Sequence, residues 1–64
     1  MLTPRQQEIA TLVGRGYSTK AIAKEIGLAV PTIKDHLRRA AAHLPGETPP
    51  RHKLMVWFFR AKEE

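Results

Sequence analysis

Glycine and proline cut this 64-residue chain into short stretches, and inside each stretch the apolar residues return every three or four positions. The breaks fall at Gly14 and Gly16, at Gly27, and at Pro45-Gly46-Glu47-Thr48-Pro49-Pro50, none of which suits the interior of a long helix. Between them stand Ile9, Leu12 and Val13, then Ile22 and Ile26, then Ile33, Leu37, Ala40 and Leu44, and finally Leu54, Trp57, Phe58 and Ala61. Each set repeats at the spacing of one helix face. The chain is therefore expected to be all-α, with four helices, the last over residues 51–62.

The ends of the first two helices are written in their cap residues. Thr3-Pro4-Arg5-Gln6 places a capping threonine before a proline that has no N–H to lose, with Gln6 completing a capping box. Ser18 is placed to cap a second helix of about two turns, which Gly27 ends by supplying a left-handed exit. Two short helices separated by about four residues that include glycine form the helix-turn-helix pattern.

In the third helix, at about 100° per residue, Ile33, Leu37, Ala40 and Leu44 fall within one arc. The opposite arc holds Pro31, Lys34, Asp35, Arg38, Arg39 and Ala42, with Thr32, His36 and His43 on the flank. One face is core and the other is charged. In the fourth helix Met55, Val56 and Phe59 are apolar beyond the main stripe, and a helix apolar over so much of its circumference is expected to be buried on two sides.

A chain this short makes one domain, residues 1–64, and buries only about 60% of the surface its unfolded form exposes. With 42% apolar residues it is too hydrophobic for a disordered tail, yet a second subunit would add to a small core. It has no cysteine, so disulfides and thiolate zinc sites are excluded. No apolar run approaches the roughly 20 residues of a membrane span, and a soluble, cytoplasmic domain without membrane contact is expected. The net charge of +5 favours a polyanionic partner. Catalysis is not expected: the sequence holds no phosphate loop, no HExxH spacing and no paired carboxylates. His36 and His43, about 10.5 Å apart along a helix, are too far apart to share a metal ion, and no cofactor is expected.

The run "LTPRQQEIATLVGRGYSTKAIAKEIGLAVPTIKDHL" resembles the LuxR-type, or GerE-like, DNA-binding domain of bacterial transcription regulators. The family's "LTPRE" corresponds to Leu2-Thr3-Pro4-Arg5, its "G-x-S-x-K-x-I-A" to Gly16, Ser18, Lys20, Ile22 and Ala23, and its "T-V-K-x-H" to Thr32-Ile33-Lys34 and His36. The resemblance implies a four-helix LuxR/GerE-type domain that places its third helix in the major groove of double-stranded DNA and dimerises through its fourth on an inverted repeat. It puts Lys34, Asp35 and Arg38 at base-facing positions, and Ser18, Lys20, Thr32 and His36 near the phosphate backbone. Arg39, Lys24 and Arg15 are read with Lys20 as a rim for phosphates, and Met55, Val56 and Phe59 as the surface that meets a second copy.

The chain departs from the family's pattern in several places. Ala21 stands where a capping glutamate is usual, Ala29 where a capping serine is usual, and the proline-rich connector is longer than the family's loop. Asp35 replaces an uncharged residue, and three roles stay open for it. It precedes Arg38 by three residues and Arg39 by four, the spacings of an ion pair on one helix face. It could instead accept from a cytosine amino group, or simply weaken DNA binding. A second functional reading is a protein-interaction module whose apolar fourth helix binds another regulator or RNA polymerase. The chain is read either as a complete small regulator or as the C-terminal piece of a larger one.

Overall fold

The computed structural model describes residues 2–63, and among these the protein is four helices without a strand: α1 (Pro4–Gly14), α2 (Thr19–Ile26), α3 (Val30–Ala41) and α4 (Pro50–Glu63). The expected all-α, four-helix class is what the chain adopts. The start of α1 has the capping box read from the sequence. Gln6 N–H donates to Thr3 Oγ1 at 3.1 Å, and Thr3 N–H donates to Gln6 Oε1 at 2.9 Å. Two amide groups that α1 could not satisfy internally are thereby paired. Gln6 is also the one buried polar side chain among the described residues, so the cap is folded into the core's edge.

Ser18 caps α2 by accepting from Ala21 N–H at 3.1 Å. Gly27 ends the helix at φ +84°, a left-handed conformation that costs a residue with a Cβ more than it costs glycine. The N–H groups of Gly27 and Leu28 both donate to Ala23 O, at 2.8 and 3.0 Å. This turn of Gly27, Leu28 and Ala29 sets α3 across α2 in the helix-turn-helix arrangement.

The centre of the core is made by Ile9, Val13, Ile22, Ile33 and Leu54, one or more from every helix. α4 packs chiefly on α1 and then on α3, while α2 meets α1 and α3 but not α4. The contact of α1 with α4 is close because Gly14 has no side chain: the Phe58 ring lies over it, occupying the space a Cβ would need. Lys62 Nζ stands 6.0 Å from that ring's centroid, and Phe59 meets it edge-on at 5.6 Å.

Three details differ from the sequence reading. The third helix ends at Ala41 rather than running on through Leu44, because the chain tightens into a turn in which His43 and Leu44 donate to the carbonyls of Ala40 and Ala41. Leu44 still packs, half-buried, against the core. The fourth helix is a residue longer at each end than 51–62, since Pro50 serves as its first residue. Ala61, placed on the buried stripe by its spacing, is exposed at the end of that helix.

Two side-chain ties, one of them across 34 residues, fix the start of α4. Arg51 donates through Nη2 to the backbone carbonyl of Tyr17, between α1 and α2, and Lys53 Nζ donates to Leu44 O at 3.3 Å. Arg51→Met keeps the length of the side chain and removes its donors. It is expected to lower the free energy of unfolding by about 1–2 kcal/mol, read as a lower urea midpoint with an unchanged slope.

Candidate nucleic-acid interface

The outward side of α3 exists because its inward side is fully used. Ile33, Leu37, Ala40 and Ala41 are buried against the other helices, which fixes the helix's rotation about its axis. Pro31, Lys34, Arg38, Arg39 and Ala42 are then turned to solvent, with Asp35 half-exposed among them. Of the flanking residues, Thr32 and His43 are exposed and His36 is half-buried. The helical periodicity of the sequence places Pro31, Lys34, Arg38 and Arg39 on the outward side and His36 on the flank, while Thr32 and His43 are more exposed, and Asp35 less, than their positions in it suggest.

Within this face the charges are not equivalent. Asp35 Oδ2 lies 3.0 Å from Arg39 Nε, one turn further on, with side chains 45% and 73% exposed respectively. Among the described residues no carboxylate comes within ion-pair distance of Lys34 or Arg38. An exposed pair of this kind stabilises a helix by only about 0.3–0.5 kcal/mol, so its main effect is on where the charges sit. Spacing allowed Asp35 to meet either arginine. The four-residue interval is the one adopted.

The other cationic and hydroxyl groups surround this face. Lys20 and Lys24 project from α2 into solvent, and Arg15 is exposed in the turn after α1. Ser18 is exposed at the start of α2, where its oxygen accepts the capping bond and its hydroxyl hydrogen stays available to another acceptor. At the start of α3, Ala29 occupies the cap position and offers no side-chain hydrogen bond, leaving that end without the bond a serine would make.

On α4 the apolar residues beyond the main stripe divide. Met55 packs partly against the core of its own chain, whereas Val56 and Phe59 are 37% and 50% exposed. Trp57 and Phe58 are half-buried, as a core stripe requires. Arg51 is the residue of consequence that local sequence reasoning missed, because its partner lies 34 positions away and no local pattern announces it. Among the described residues no helix is long and apolar enough to cross a membrane.

A short glycine turn between two packed helices, with the second presenting cations outward, defines a helix-turn-helix module of the kind that DNA-binding transcription regulators carry. Residues 1–45 match the family described as bacterial regulatory proteins, luxR family, and the chain belongs to that family. It is similar to the response regulator protein VraR of Staphylococcus aureus and of Staphylococcus epidermidis, in each case 32% identical over 60 residues. That alignment covers 94% of this chain and 28% of each relative, so the chain spans little more than a quarter of their length. No solved structure was found to match it.

Proposed function

We propose that residues 1–64 act as one domain that binds duplex DNA as a homodimer on an inverted repeat and so regulates transcription in a bacterial cytoplasm. In this reading α3 lies in the major groove with Lys34, Asp35 and Arg38 at the base-facing positions. Ser18, Lys20, Thr32, His36 and Arg39 lie along the phosphates, and Met55, Val56 and Phe59 of α4 meet the second copy. The observation that carries it is the outward face of α3, where Lys34 and Arg38 are exposed and without a carboxylate partner among the described residues. Free Arg and Lys side chains of this kind suit the O6 and N7 acceptors of guanine, so half-sites containing G are expected.

The test is selection of bound duplexes from a randomised library. An enriched inverted repeat with fixed half-site spacing supports the dimeric reading, and an enriched single site supports a monomer. Arg38→Ala is then expected to cost about 1–3 kcal/mol and to relax the preference at one base position. An equal loss on every sequence would assign Arg38 to a phosphate instead.

The exposure of Val56 and Phe59 favours a second reading, in which α4 docks another regulator or RNA polymerase. A complex with such a partner that survives loss of Lys34 and Arg38 would support it.

A further inference from the structure

Asp35 is the one carboxylate on the outward face of α3, and it is already engaged. Its partner is Arg39 at 3.0 Å, while Lys34 and Arg38 stand clear of it. Three cations that look alike in the sequence are therefore sorted into two free ones and one held. We propose that Asp35 is a positioning residue that works through Arg39: it withholds one unit of positive charge from the DNA phosphates and so sets how tightly the protein holds DNA of any sequence. This rests on α3 entering the DNA as described under Proposed function.

The physical basis is the way sequence-independent binding arises. Each cation that neutralises a phosphate releases condensed counterions, and the affinity falls with salt by about 0.9 log units per log unit of salt for each such contact. A guanidinium already paired at 3.0 Å brings its carboxylate with it, and that carboxylate repels the phosphate the guanidinium would approach. Lys34 and Arg38 keep their full charge. The carboxylate thus subtracts from the general hold on DNA without touching the groups placed to read it, and no base need contact Asp35.

The experiment measures binding to two duplexes of equal length, one enriched by selection and one unrelated, across a range of KCl concentrations. Asp35→Asn keeps the side chain's shape and removes its charge. It is expected to tighten binding to both duplexes by the same factor, roughly three- to tenfold at low salt, and to steepen the salt slope by about one. In an Arg39→Gln background the same change should tighten binding by a clearly smaller factor, since only the carboxylate's own repulsion of phosphate is then removed. Asp35→Glu, which can still reach Arg39 across one turn, should behave as the unaltered protein. Thermal melts of every variant confirm that the fold is kept.

Three outcomes would overturn the proposal, and they differ from one another. Weaker binding of Asp35→Asn on the enriched duplex alone would make Asp35 a base contact. An equal gain with and without Arg39 would mean that Asp35 acts on the phosphates by itself and not through Arg39. Failure of the unaltered protein to bind either duplex would remove the DNA-binding reading itself, and this proposal with it.

Discussion

Leu54→Ala is expected to remove about 2–5 kcal/mol of stability, the loss of a buried leucine together with the cavity it leaves. Leu54 is fully buried and is the only member of the innermost group supplied by α4. The five residues around the centre come from all four helices, so the gap would open where every helix meets, with only the partly buried Met55 and Trp57 of α4 beside it. A chain of 64 residues has a total stability of about 3–10 kcal/mol, and the expected loss is a large share of it. The melting temperature should fall by roughly 8 °C or more, at about 4–8 °C per kcal/mol. Phe59→Ala, half-exposed five residues further on, is the matched control and should change monomer stability by about 0.5 kcal/mol or less. Equal effects of the two substitutions would show that α4 does not close the core in solution.

Gly14→Ala is expected to destabilise the protein by about 3 kcal/mol, against the usual direction of that substitution. In an exposed helix interior, replacing glycine with alanine gains roughly 0.5–1 kcal/mol from backbone entropy. Here the new methyl group would overlap the Phe58 side chain, including its Cβ at 2.7 Å. Because the clash reaches back to the Cβ, turning the ring does not relieve it, and α4 itself must move away from α1. The double variant Gly14→Ala/Phe58→Ala, set beside each single variant, separates the causes. If overlap is the cause, removing Cγ and Cδ2, the two nearest atoms, should make the double variant lose clearly less than the two single losses added together, read from urea midpoints. A Gly14→Ala protein more stable than the original would mean that Phe58 does not sit over Gly14.

Gly14 also shows what a sequence reveals and what it conceals. Together with Gly16 it marks the end of α1 correctly, because the left-handed exit that Gly16 takes at φ +91° is a local property of glycine, while Gly14 is the last helical residue. Its second role, as the seat of Phe58, depends on a residue 44 positions away and has no local signature. The same division runs through the molecule. Thr3, Gln6, Ser18 and Gly27 act within a turn or two of themselves, and each was legible before any coordinates. Arg51 acts across the chain and was not.

The candidate interface follows that division too. Which residues of α3 face outward was legible, since one buried arc determines the other. Which arginine Asp35 would choose was not, because intervals of three and four residues both bring side chains together and rotamers decide between them. The end of α3 was misplaced for a related reason. Leu44 keeps the helical interval, but it is buried through a turn.

The docking of α4 on α1 also bears on how the protein is made. Ribosomes add about 5–20 residues each second, so roughly 2–9 s separate the appearance of Gly14 from that of Phe58. Helices form in microseconds, and α1, α2 and α3 have ample time to form first. Throughout that interval the side of α1 that will meet Leu54 and Phe58 has nothing to cover it. The nascent chain is then most open to chaperones and to self-association, and the interval closes only when the last helix arrives.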